Sequence, residues 1–145
     1  MDKSLYIVIP CYNEQEVLPI TAPMFLDKIN SLIEKGLCNE NSKVLFVNDG
    51  SKDHTLSELK RIHAMAKHNI RIVSFSRNFG KEAAMYAGIE HAKGDLICLI
   101  DADLQQNPKY VLKMLEIIKE NPEYAKQLEQ EILERWNKYN INTKT

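Results

Sequence analysis

Asp101 and Asp103 stand one residue apart, and Gln105 follows at the same alternation. Two carboxylates held this close repel each other and resist desolvation unless positive charge sits between or beside them. A divalent cation meets that need. Hard oxygen ligands, a few from protein and the rest from water or phosphate, are what Mg²⁺ or Mn²⁺ prefers. Gln105 offers a further, neutral oxygen. Asp-x-Asp is also common by chance, so these residues taken alone support a metal site and a solvated acidic loop equally. Asp49, in Asn48-Asp-Gly50, is a candidate acceptor for an N–H or O–H of a base or ribose, although taken alone it reads better as a turn-forming residue. There is no Gly-x-Gly-x-x-Gly after the first apolar run and no Walker A loop. Phosphate charge would therefore fall to a metal at Asp101 and Asp103 and to cations such as Arg77 and Lys81. His54, His63, His68 and His91 lack ligand spacing, and Ser51, with Asp53 and His54 nearby, lacks a nucleophile-elbow context.

The elements that must position these groups are legible in order. Leu5–Pro10, Lys43–Val47, Ile70–Phe75 and Leu96–Ile100 read as strands, the last as a run covered on both faces. Between them lie helical stripes. Thr21 reads as an N-cap with Pro23 in the first turn, Phe25, Ile29, Leu32 and Ile33 follow, and Gly36 is the stop. Thr55 and Glu58 have capping-box spacing ahead of Leu56, Leu59, Ile62 and Ala66. Ala83, Ala84, Ala87, Gly88 and Ala92 make a third helix of small residues able to lie close on a sheet, and Gly94 ends it. Asn107-Pro108 opens a fourth helix, facing inward through Val111, Leu112, Leu115 and Ile118, and Asn121-Pro122 closes it. Ala125, Leu128, Ile132, Trp136 and Tyr139 form a last amphipathic stripe, expected to pack on the sheet domain or on a second copy of the chain. Strand–helix alternation predicts an α/β fold, a three-layer Rossmann-like parallel sheet with helices on both faces. Such sheets bind ligands beyond the carboxyl ends of their strands, where strand order reverses. Tyr12 to Glu14, Asp49, Arg77 to Lys81, and Asp101 to Gln105 all fall at such ends.

With 145 residues, 44% hydrophobic and 27% charged, the chain has the size and composition of one globular domain. A net charge of −1 gives no footprint for nucleic acid or an anionic membrane. No apolar run reaches transmembrane length, and Met1-Asp-Lys-Ser4 is not a signal peptide start. Three scattered cysteines without metal spacing read as reduced thiols, which with the rest predicts a cytoplasmic protein.

Ile9-Pro-Cys-Tyr-Asn-Glu14, Val47-Asn-Asp-Gly-Ser51, Ser76-Arg-Asn-Phe-Gly-Lys-Glu-Ala-Ala84 and Asp101-Ala-Asp-Leu-Gln105 together resemble family 2 glycosyltransferases of the GT-A fold. The branch is that of dolichyl-phosphate mannose synthases and bacterial polyprenyl-phosphate glycosyltransferases. The resemblance covers residues 4–120 and makes residues 1–120 a nucleotide-sugar-binding domain, with residues 121–145 an amphipathic helix. It implies that Pro10, Tyr12, Glu14, Asp49, Lys81 and Asp101 border a UDP- or GDP-linked sugar, and that Asp101, Asp103 and Gln105 hold Mg²⁺ or Mn²⁺. It further implies inverting transfer, with a polyprenyl phosphate at a membrane surface as acceptor. Such a protein would be cytoplasmic, membrane-associated through a partner or another segment. Past about Glu120 the pattern departs from the family's further strands and acceptor-binding half, so no catalytic base is assigned. A fragment, a shortened relative, a non-catalytic nucleotide-binding module and a structural domain with a vestigial site are the readings left open.

Overall fold

The computed structural model describes residues 3–100 and residue 102. Asp101, Asp103, Gln105, the fourth helix and the stripe through Trp136 lie outside the described residues. Within them the order is β1 (Leu5–Cys11), α1 (Leu18–Glu34), β2 (Lys43–Asn48), α2 (Thr55–Met65), β3 (Ile70–Ser74), α3 (Lys81–His91) and β4 (Leu96–Leu99). The four strands form one sheet in the order β3-β2-β1-β4, with every pairing parallel. The Rossmann-like α/β reading of the sequence is therefore correct.

The order explains the layers. From β1 through β2 to β3 the chain steps one way across the sheet. It then returns past β1 to place β4 on the other side. Right-handed crossovers put helices of opposite stepping direction on opposite faces. Accordingly α1 and α2 pack on each other, while α3 lies against β1, β2 and β3. Tyr6 and Val8 of β1, Leu45 and Val47 of β2, and Ala84 of α3 form one buried cluster. Leu5, Ile7, Ile9, Val44 and Phe46 are buried too, and by the two-residue strand period they face the other way, toward the layer holding Phe25, Ile29 and Leu32. β1 is thus covered on both faces. β4 is not: it pairs with β1 alone among the described strands and is half-buried, with Ile97 41% exposed. The continuous apolar run there gave no warning of a position at the end of the described sheet.

Two helix starts differ from the sequence expectation. α1 begins at Leu18 with Pro19 in its first turn, because the Glu14 carbonyl accepts the amides of both Val17 and Leu18 and winds the chain in early. Thr21 is therefore inside the helix and not its cap; its hydroxyl is buried and has no hydrogen-bond partner. Pro23 also falls within the helix and not in its first turn. At α2 the capping box does not form. Asp53 Oδ1 accepts the Thr55 amide at 2.9 Å, and Glu58 pairs with Arg61. Gly36 ends α1 as expected.

The small-residue stripe of α3 is used where the sequence placed it. Ala84 and Gly88 are its buried positions, and a Cβ built on Gly88 would stand 2.3 Å from Val8 Cγ1 and 3.3 Å from Val47 Cγ2. The helix backbone rests on the valines directly. Gly88→Ala should gain about 1 kcal/mol of helix propensity yet lose more by overpacking, which costs about 1–3 kcal/mol. A net fall in the urea midpoint is expected, with recovery on adding Val8→Ala. A midpoint raised by Gly88→Ala alone would contradict the close contact.

Candidate functional site

The carboxyl ends of β1 and β2 open into a cavity of 460 Å³. The end of β1 lines it with Pro10, Cys11 and Tyr12, and Glu14 follows from the turn. Asp49 enters from the end of β2. Asn78, Gly80 and Lys81 come from the loop before α3, and Ala84 from that helix's first turn. Ala102, after β4, closes the lining and is buried. The cavity thus sits where strand order reverses between β1 and β4, the position where open α/β sheets hold ligands.

Five residues expected from sequence, Pro10, Tyr12, Glu14, Asp49 and Lys81, are brought together on this one cavity. Arg77 is not among the lining residues; its guanidinium carbon stacks 4.7 Å from the centre of the Phe79 ring. Phe79 meets Phe75 edge-on at 5.6 Å. Among the described residues no three His, Cys, Asp or Glu side chains cluster as a metal site.

Asp49 is 3% exposed, yet it is well supplied with donors. Its Oδ1 accepts the Phe79 amide at 2.8 Å. Its Oδ2 accepts the Gly80 amide and Asn78 Nδ2, both at 3.1 Å. Asn78 Nδ2 also donates to the Asp49 carbonyl at 3.1 Å, while the Asp49 amide donates to the Cys11 carbonyl at 2.9 Å. Gly50 completes this joint. It holds φ +60°, and a Cβ there would lie 1.9 Å from the carbonyl carbon of Arg77. No side chain fits, so the Asn48-Asp-Gly50 turn and the Arg77–Gly80 loop are joined backbone to backbone.

A second set of bonds ties the turn after β1 to the turn after β2. The Asn13 amide donates to Ser51 Oγ at 3.0 Å, and the Lys52 amide to Asn13 Oδ1 at 2.9 Å. Ser51 Oγ donates to Asn48 Oδ1 at 2.6 Å, and Asn48 Nδ2 to Ser74 Oγ at 3.0 Å. The Glu14 amide donates to Thr55 Oγ1 at 2.8 Å, and the Thr55 hydroxyl in turn donates to Asp53. Asn13 adopts φ +52°, a left-handed conformation that asparagine tolerates better than most residues. The reading from sequence gave no individual role to Asn13 or Asn78, and gave the Thr55 hydroxyl a capping role in place of these partners. The signal for Asn13 and Asn78 was their residue type in a turn; for the partner choice there was none.

Ionisation follows these contacts. Burial, with the Glu14 charge next, pushes the Cys11 thiol far up, so this lining cysteine stays protonated and unreactive. Burial raises the Cys98 thiol to about 11. All three cysteines are free thiols, as read from sequence. Burial alone would raise the Asp53 carboxyl, but hydrogen bonds from the Thr55 hydroxyl and amide and the Gln15 amide outweigh it and hold the group below its ordinary value.

The Glycosyl transferase family 2 profile matches residues 6–140. The chain belongs to that family. The match runs past residue 120, where the resemblance read from sequence ended. Among relatives, a Bacillus subtilis (strain 168) protein named uncharacterized glycosyltransferase YkcC is 41% identical over 117 residues, covering 81% of this chain and 34% of that protein. The prophage bactoprenol glucosyl transferase homolog of Escherichia coli (strain K12) is 38% identical over 110 residues, covering 76% of this chain and 34% of its own length. The chain therefore spans about a third of these relatives. The fold matches glycosyltransferase structures. A Pyrobaculum calidifontis mannosyltransferase in complex with GDP-Man and Mn²⁺ has a TM-score of 0.57 at 23% identity, over 71% of this chain and 28% of that one. Staphylococcus aureus TarS 1-349 in complex with UDP has a TM-score of 0.60 at 20% identity, over 81% of this chain and 32% of that one. Among the described residues no helix is long and apolar enough to cross a membrane.

The Asp53 contacts yield a pH prediction. Replacing an acceptor at a helix start costs about 1 kcal/mol, so Asp53→Ala should be less stable by that order at pH 7. Because the folded carboxyl sits below its ordinary value of 3.8, its ionic contribution is present above that value and is lost as pH falls through the lowered one. Urea unfolding from pH 7 to pH 2 should show a gap between wild type and variant that is flat at neutral pH and narrows below about pH 4. A gap that widens in acid would contradict the assignment.

Proposed function

We propose that this chain supplies the donor-binding part of an inverting glycosyltransferase that uses a nucleotide diphosphate sugar. The observation that carries this reading is convergence: positions from all four family motifs, from Pro10 to Ala102, meet on one cavity at the β1–β4 switch. In this reading residues 1–120 are the nucleotide-sugar-binding domain. Pro10, Tyr12, Glu14, Asp49, Lys81 and Asp101 border the nucleotide, and Lys81 brings positive charge toward the diphosphate. Asp101, Asp103 and Gln105 would hold Mg²⁺ or Mn²⁺, an all-oxygen donor set that suits a hard cation. When bound, that ion supplies Lewis-acid neutralisation of charge on the leaving diphosphate.

The transfer forms a bond from an acceptor oxygen to the anomeric carbon. The bond to the diphosphate oxygen breaks on the opposite face, and its electron pair leaves with the nucleoside diphosphate. A polyprenyl phosphate acceptor is the reading favoured by the bactoprenol glucosyl transferase relatives. Its oxygen is already anionic and needs no base, whereas a hydroxyl acceptor would need a carboxylate. Work at a membrane surface, reached through a partner or a further segment, accompanies that acceptor.

Thermal shift against uridine and guanosine diphosphates, with and without Mn²⁺, is the direct test. Ligand at about 100 times its dissociation constant should add roughly 2.7 kcal/mol of stability. Asp103→Asn keeps shape and removes one charge. It should weaken metal-dependent nucleotide binding about tenfold or more, near 1.4 kcal/mol, and leave the unliganded melting temperature in place. Equal affinities for the two proteins would remove the metal assignment, and no shift with any nucleotide would favour a vestigial site.

A further inference from the structure

Asp49 lines the cavity, and what its carboxylate can still accept there can be counted. A carboxylate offers about four lone-pair positions, two on each oxygen. Oδ2 takes both the Gly80 amide and Asn78 Nδ2. Oδ1 takes the Phe79 amide, and among the described residues no other donor meets it. One position is therefore left over, on Oδ1. Two of the protein donors are backbone amides, held by the joint at Gly50. The third is a side chain. Asn78 Nδ2 also donates to the Asp49 carbonyl, so both of its hydrogens are committed to residue 49. The reverse amide orientation would set the Asn78 oxygen against two acceptors.

A carboxylate with one position left takes one N–H. Uracil presents one on its hydrogen-bonding edge, N3–H between two carbonyls. Guanine presents two side by side, N1–H and the N2 amino group, and both are met only where both carboxylate oxygens are open. Pro10, Ala84 and Ala102 add apolar wall suited to a flat ring. We infer that, resting on the proposed donor-site reading, Asn78 is a specificity-determining residue: by filling Oδ2 of Asp49 it leaves a single acceptor, which fits the lone N–H of uracil and not the paired donors of guanine. Guanine would bind only with one donor unpaired or with Asn78 displaced, and either loses a hydrogen bond to a charged group. Asn78 thus acts against the wrong base and adds nothing for the right one.

Calorimetry at fixed Mn²⁺ tests this with three probes: uridine diphosphate, N3-methyluridine diphosphate and guanosine diphosphate. Wild type should bind the first about tenfold or more tighter than either of the others. Asn78→Ala opens the second position on Oδ2 and leaves the Phe79 and Gly80 amides on Asp49. It should narrow the uridine-to-guanosine ratio by about tenfold while the loss on N3-methylation stays in place. The ratio is the readout because a loosened loop would weaken both nucleotides alike. Asn78→Ser, whose hydroxyl is too short to bridge, serves should the alanine variant fold poorly, and the N3-methyl comparison needs no variant. N3-methyluridine diphosphate bound by wild type as well as uridine diphosphate would overturn the inference and turn the open position of Asp49 toward the ribose. Guanosine diphosphate bound by wild type as tightly as uridine diphosphate would overturn it too, as would a ratio unmoved by loss of the Asn78 amide. Wild-type protein that binds none of the three would overturn the donor-site reading itself, and this inference with it.

Discussion

A carboxylate removed from water inside a joint between two loops is the constraint on which this site is built. Taking Asp49 out of solvent costs several kcal/mol, and the cost is offset only if its oxygens find donors. The Phe79 and Gly80 amides and Asn78 Nδ2 provide them. Hydrogen bonds to a charged group contribute about 1.5–3 kcal/mol each. The interaction also demands shape. The donors can converge only if the Arg77–Gly80 loop lies on the turn after β2, and that requires a residue without Cβ at position 50. Charge burial, backbone donors and a single glycine are thus one requirement in three parts.

The sheet order makes this joint useful. Because β1 lies between β2 and β4, the turns after β1 and β2 and Ala102 after β4 can reach one another, and α3, crossing on the opposite face from α1 and α2, delivers its first turn to the same edge. The Gly88 contact seats that helix on Val8 and Val47, which fixes where its amino end falls. Ala84, one turn earlier on the same face, is both core and cavity wall. Packing and site geometry are therefore not separable along α3. A larger residue at either small position would move the segment that presents Lys81.

What could be read from sequence follows from how local the physics is. Strand–helix alternation depends on residue periods within one element, and it led correctly to a parallel sheet with helices on both faces. The convergence of Tyr12, Glu14, Asp49 and Lys81 followed from a rule about carboxyl strand ends that needs no side-chain detail. The failures are non-local. Thr55 looked like half of a capping box, but its hydroxyl serves the Glu14 amide and the Asp53 carboxylate, and Asp53 takes the amide expected to be capped otherwise. Thr21 looked like a cap because nothing in the sequence shows the Glu14 carbonyl starting α1 a turn sooner. Leu96 to Ile100 read as fully covered because an apolar run carries no information on which strand lies at the end of the described sheet. Asp49 was read for what its type can accept, whereas its environment supplies donors from thirty residues away.

The same non-locality bears on when the site comes into being. β1 pairs with β2 across a separation of 37 residues at Tyr6 and Lys43, and with β4 across 91 at Leu5 and Leu96. The second pairing is reinforced at its start by Asp95, whose Oδ2 accepts the Ser4 amide at 2.9 Å, while the Asp95 amide donates to Ser4 Oγ at 3.2 Å. Contacts this distant in sequence form only after loop closure has been met by other interactions. The Asn13–Ser51 and Glu14–Thr55 bonds need β1 on β2, the Asp49 joint needs β2 beside the loop after β3, and Ala102 reaches the cavity wall only once β4 has found β1. Each step presupposes the sheet, and none is supplied by a helix or hairpin alone. A ligand that bridges these turns consequently binds the assembled sheet and not its parts, so its binding energy is added to the stability of the whole β3-β2-β1-β4 arrangement.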